Sequence, residues 1–367
     1  MKITFLTFIL AAASSFVTVA ADAPRRMLYV AAPGIRNYLE YGGHGILVFD
    51  IDQGHKFVRR IKTSGLNEDG QPLNVKGVCA SAETRRIYVT TTRTITCLDL
   101  LTDKILWEKA LPGGCDRMAI SPNGKNIYVP SLEGAHWNII DAATGERIAK
   151  ITPNSGAHNT VYGRDGSRVF LAGLRSPWLT IADAQTHTSN SAVGPFSAPI
   201  RPFTVNSAGT RAYCCVNDLL GFEVGDTAAG KVLCRVEVSG FKKGNPKRHG
   251  CPSHGIGLTP DEREIWVCDA ANRRMHVFDN RVMPPKQQTS IELRDEPGWV
   301  TFTMDGQYAY PSTGDVIDVA SRKIVAQLTD ENGMAVQSEK LLEIDFKGAT
   351  PVHAGDQFGF GRRPRGS

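Results

Sequence analysis

Ser121-Pro-Asn-Gly-Lys-Asn-Ile-Tyr-Val-Pro130 is a polar turn that runs directly into an alternating strand, and Trp137-Asn-Ile-Ile-Asp-Ala-Ala-Thr-Gly-Glu-Arg-Ile-Ala-Lys-Ile151 adds a strand, an acidic turn and another strand. The turn recurs as SAETRR from Ser81, GRDGSR from Gly163, NSAGTR from Asn206, TPDERE from Thr259 and TMDGQY from Thr303, at spacings of 40, 42, 43, 53 and 44 residues. Each copy leads into a strand of period two: RIYVTTT, RVFLAGL, RAYCCVN, EIWVCDA or YAYPSTG. A fixed period of this length is the signature of a repeat architecture.

One unit holds a strand before the turn, one after it, a third ending at an acidic residue and a fourth such as RIAKITP or VLCRVEV. Four antiparallel strands in ~40 to 45 residues make one blade of a propeller. A lone meander cannot cover both of its faces, so the blades must stack around an axis. The first unit has MLYVAAP and GILVFDID but no inner strand before them, and GMAVQS from Gly333 is the candidate to supply it. Joining both chain ends in one blade closes the ring and removes a free sheet edge. The expectation is an all-β, seven-bladed β-propeller of four-stranded antiparallel blades over residues 22–350, followed by a C-terminal tail, 351–367. KLLEIDF, near the C-terminus, has no place in this count.

Turns such as SPNGKNIYVP and third strands such as WNIIDAATGERIAKI resemble those of the YVTN family of seven-bladed propellers, from roughly Met27 to Phe346. The resemblance implies the fold. It leaves function open, because that family is similar to lactonases, quinoprotein subunits and binding proteins alike.

Lys2, the apolar run Ile3 to Ala13 and the small residues ending at Ala20 and Ala21 read as a secretory signal peptide, 1–21, so a secreted or periplasmic protein is expected. No later segment has the ~18 apolar residues of a membrane span. In an oxidising compartment some of the eight cysteines are expected in disulfides, with Cys251 paired to Cys268 or Cys115 among the options. A net charge of +5 with both signs interspersed does not indicate nucleic-acid binding. The expected protein is a monomer.

Propeller loops that open on one face around the axis carry ligand-binding groups. The first such loop, APGIRNYLEYGGHG, holds Arg36, Asn37, Tyr41 and His44, and LPGGCDR contributes Arg117. LEGAHW brings His136 and Trp137, SGAHN brings His158 and Asn159, and GLRSPW brings Arg175 and Trp178. Later blades add Arg201, then Arg248, His249 and His254 in GNPKRHGCPSHG, and finally Arg274 and Trp299.

Five of the nine histidines fall on this face. Guanidinium groups grip carboxylates and aromatic faces stack on sugars, so an acidic oligo- or polysaccharide is the expected partner. An Arg that neutralises a uronate acidifies the neighbouring proton, which a neutral His removes. Propeller polysaccharide lyases are similar at the level of fold, with His and Arg at the channel mouth.

His136 and His158 are the expected acid/base pair, with Tyr41 and Arg175 beside them. A non-catalytic propeller that binds a glycan or a protein is the alternative, and a lactonase-like hydrolase a further one. No cofactor is expected. A divalent metal at His249, Cys251 and His254 would suit imidazole and thiolate chemistry, although the spacing matches no closed site. G-x-S-x-G, P-loop and H-E-x-x-H motifs are missing, and carboxylates are scarce on this face.

Overall fold

The computed structural model describes residues 24–359. The expected signal peptide lies outside them. Seven antiparallel blades form the ring, and six are plain four-stranded meanders in which sequence neighbours pair. The inner strands are Val75–Ser81, Ala119–Ile120, Ala157–Tyr162, Ile200–Val205, Ile256–Leu258, Val300–Phe302 and Leu341–Lys347. Each unit puts an aromatic residue in the next strand outward: Tyr88, Tyr128, Phe170, Tyr213, Trp266, Tyr310 and, in the first blade, Tyr29. All seven are at most 3% exposed. Burying such a side chain stabilises the fold by about 1.5–3 kcal/mol. Successive strand residues face opposite ways, so these strands fill core on both sides of the sheet. In the first blade, Tyr29 and Ala31 pack in one hydrophobic cluster while Leu28 and Val30 pack in the next.

The two chain ends close the ring in one blade, as expected, but through a different C-terminal segment from GMAVQS. Leu341–Lys347, the segment left without a place, pairs antiparallel with Arg25–Ala32 and sets Leu342 opposite Tyr29. Gly333 has a φ of 76° and closes a turn onto Asp330, and Val336 packs back on Leu328. GMAVQS therefore caps the seventh blade. It offers only one side to the core, whereas LLEIDF buries Leu342 and Ile344 in one cluster and Leu341 in another.

The first blade gains a fifth strand, Thr350–Ala354, inside Leu341–Lys347, so the boundary expected at residue 350 falls within a blade. Beyond it the chain crosses the channel. The Gln357 side chain accepts from the Val78 amide and donates to the Met118 carbonyl, both at 3.2 Å. The Gly359 carbonyl accepts from the Leu258 amide at 2.6 Å and the Thr204 hydroxyl at 3.1 Å. The Thr301 hydroxyl donates to the Asp356 carbonyl. These partners lie on the inner strands of five blades, which only a segment on the axis can reach together. Phe358, 2% exposed, anchors it beside Trp299.

All eight cysteines are free thiols, contrary to the expected bridging; Cys251 donates to the Ser253 carbonyl instead. Among the described residues no helix is long and apolar enough to cross a membrane.

Phe358→Ala should destabilise the protein by about 3 kcal/mol, the usual cost of emptying a buried aromatic site. Denaturant unfolding measures it. A loss below about 1 kcal/mol would show that the C-terminal segment is not anchored in the channel.

Candidate functional site

The pairing register defines a ring of equivalent positions. Counting three residues back from the inner-strand partner of each aromatic gives Glu339, Lys76, Asp116, His158, Arg201, His254 and Gly298, one per blade. The residues that follow them include Lys340, Arg117, Asn159 and Trp299. Six of seven ring positions are ionisable, and contacts link neighbouring blades. Lys76 Nζ lies 3.4 Å from Asp116 Oδ1, and His158 Nδ1 lies 2.6 Å from Asp116 Oδ2. Across the axis, Arg117 pairs with Glu339 and lays its guanidinium 4.4 Å from the Trp299 ring centroid.

Glu339 is the hub. Its Oε2 accepts from Arg117 and, at 2.6 Å, from Lys340. Its Oε1 faces His249 Nδ1 at 3.3 Å and His254 Nδ1 at 4.0 Å. Burial alone would raise its carboxyl, but Lys340, Arg117 and the two histidines hold it well below the usual carboxylate range. Burial, reinforced by Arg117, drags Lys340 down to about 7 despite Glu339. Burial also favours the neutral forms of His158, His249 and His254. Asp116 stays ionised, because His158, Lys76 and Arg117 outweigh its burial and hold it at about 2.

In His158 these effects give a neutral ring with a defined tautomer. Nδ1–H donates to the Asp116 carboxylate, leaving the Nε2 lone pair to accept from the Arg117 guanidinium at 3.0 Å. A carboxylate that orients an imidazole whose second nitrogen is basic is the working arrangement of a general base.

Several expected residues converge here: Arg117, His158, His249, His254 and Trp299. Asn159 bridges to Arg117 through the backbone, and neither polar atom of its buried side chain has a partner. Tyr41 joins through Arg248, which donates to its hydroxyl at 2.7 Å and to Asp295 at 2.9 Å, while Arg36 donates to the Arg248 carbonyl.

Others stay apart. His136 packs against Gly113 and Ser131 on the rim, so it does not share the Asp116–Arg117 surroundings of His158. Arg175 donates to the Glu133 carbonyl, His44 bonds Ser64 and Thr63, and Arg201 holds Asn217 and the Gly250 carbonyl. Asn37 is exposed on its loop and Trp178 is 42% exposed. Arg274 pairs with Glu292 on a third strand. Trp137 cannot stack on a sugar: it is fully buried and donates to the Thr160 hydroxyl. Trp299, 2% exposed, supports Arg117 and donates to the Gln357 carbonyl.

Sequence reasoning missed Glu339, Lys340, Asp116 and Lys76. A signal existed: His158 stands twelve residues ahead of Phe170, and the same count from Tyr88, Tyr128 and Trp266 lands on Lys76, Asp116 and His254.

Removing the hub's charge leaves Arg117 and Lys340 buried without their anion. Glu339→Gln should cost about 3–5 kcal/mol in denaturant unfolding, and an effect under 1 kcal/mol would show that the cluster is not a closed ion network. The buried His158 resists protonation that it accepts once unfolded, so its contribution is present above about 6.5 and is lost as the pH falls below it. Between pH 7 and 5 the wild type should lose more stability than His158→Gln; parallel profiles would refute this.

No family model and no curated protein matches the chain. Among solved structures it is similar to Kuenenia stuttgartiensis hydrazine synthase, at 14% identity and a TM-score of 0.58, over 77% of this chain and 86% of that one. At that identity the likeness establishes a shared fold, a seven-bladed β-propeller.

Proposed function

We propose that the protein is an exported carbohydrate-active enzyme, a lyase that opens a uronic-acid-containing glycan by β-elimination at the charged mouth of the channel. The Asp116–His158–Arg117 chain carries this reading. It sets a neutral imidazole, held by a carboxylate, against a guanidinium. In the proposed step the substrate carboxylate takes the Arg117 N–H now engaged by His158, which frees Nε2 and acidifies the substrate's C5 proton. His158 removes that proton, the C–H electrons form the C4–C5 double bond, and the C4–O bond breaks. The leaving oxygen takes a proton from Tyr41, whose hydroxyl accepts from Arg248 and keeps its own hydrogen to give.

The charges suit a monoanion. Arg117 and Lys76 balance Glu339 and Asp116, and Lys340, whose charge burial weakens, is driven to its protonated form when a carboxylate arrives. The repeat pattern supports grouping the chain with YVTN propellers, and the apolar stretch after Lys2 supports export. A non-catalytic propeller that grips the same anion is the second reading. It is favoured by the burial of Arg117 and His158, which are 2% and 5% exposed.

Incubation with a panel of uronate polysaccharides should produce the ultraviolet absorbance of an unsaturated uronate. His158→Gln should reduce the rate by 100-fold or more, at the scale of a lost general base. His136→Gln should stay within about threefold of wild type. Glycan binding without absorbance would establish the second reading, and cleavage without an unsaturated product would indicate a hydrolase; either sinks the lyase.

A further inference from the structure

We propose that His249, His254 and Glu339 form a binding site for one zinc ion at the channel mouth, with a coordination position left for an anionic ligand. The inference does not depend on the lyase reading. One ligand-capable atom from each residue lies within 4.8 Å of the other two, and all three residues are buried. A tetrahedral zinc ion with ligand atoms at about 2.1 Å keeps them ~3.4 Å apart. His249 Nδ1 and Glu339 Oε1 are already 3.3 Å apart, so binding requires the longest separation to close by only ~1.4 Å.

Three features indicate a built site. The two imidazoles stack with centroids 4.8 Å apart and planes 23° apart, an arrangement that two protonated rings would not tolerate. His254 Nδ1 lies 3.1 Å from the Gly298 carbonyl, the supporting bond that fixes the tautomer of a metal-ligating histidine. Gly298 is the ring position without a side chain. A Cβ there would lie 2.0 Å from His249 Cε1 and 2.6 Å from Glu339 Oε1, so glycine is what admits the imidazole beside the carboxylate.

The division of labour on Glu339 suits a ligand. Arg117 and Lys340 orient the carboxylate through Oε2 while Oε1 faces the imidazoles. A hard cation needing six or more oxygens has no such shell here, whereas an ion held by two neutral imidazoles and one carboxylate fits. The added positive charge calls for an anion in the fourth position. Cys251 is outside the set: its thiol donates to the Ser253 carbonyl, and Glu339, distant in sequence, takes the place the sequence suggested for it.

The test uses the full chain, stripped with a chelator and titrated with zinc chloride. Calorimetry and elemental analysis should give one zinc per chain with micromolar or tighter affinity. Cobalt(II) in its place should show the visible d–d bands of a tetrahedral site without a thiolate band. His249→Gln with His254→Gln should weaken zinc binding at least 100-fold, and Cys251→Ser should leave it unchanged. No binding below 100 μM zinc, a thiolate band, or unaltered binding in the double variant would overturn the proposal. The cobalt spectrum decides on the wild-type chain even if the double variant fails to fold.

Discussion

Six residue pairs between Arg25–Ala32 and Leu341–Lys347 hold the ring shut, and the site exists only because they do. The pairing joins the two ends of the chain, so it bears the entropy of ordering everything between them. Loop closure grows only logarithmically with length, and the apolar surface buried between adjacent blades outweighs it. The same pairing fixes Ser338, Glu339 and Lys340 at the channel mouth, where Ser338 donates to the Ala31 carbonyl and Lys340 to the Gly34 carbonyl. The carboxylate at the centre of the charged cluster is thus positioned by the strand that closes the fold.

A buried network of this kind is a poor source of stability. Each ion gives up hydration, and mutual attraction repays that only when every partner is present. Apolar residues would fill the same mouth at lower cost, as they do elsewhere along the inner strands. Burying Lys76, Asp116, Arg117, His158, Glu339 and Lys340 together is therefore a cost that the propeller fold itself does not require. The aromatic support points the same way, since Trp299 beneath Arg117 fixes the guanidinium without neutralising it.

The blades were legible because turn, strand alternation and buried aromatic recur with one period, and each signal is local. The ring of ionisable residues was partly legible for the same reason, as the constant interval from His158 to Phe170 and from Asp116 to Tyr128 shows. Glu339 escaped because its strand closes the circle from the far end of the chain, so no turn precedes it in the usual place. GMAVQS matched the apolar pattern of an inner strand, yet only LLEIDF has apolar residues for both faces. Trp137 and Arg274 were misplaced by a different error: each begins a third strand, where the residue is already committed to the sheet.

The C-terminal segment on the axis braces the ring from inside. Gln357 bonds the inner strand of the second blade and Gly359 those of the fifth and sixth, so one short segment ties together blades that are not neighbours. Until Leu341–Lys347 and Thr350–Ala354 pair, the first blade lacks two strands and the ring has two open edges. Pairing those strands, and threading residues 356–359 along the axis behind them, turns an open stack of sheets into a closed ring with an internal tie.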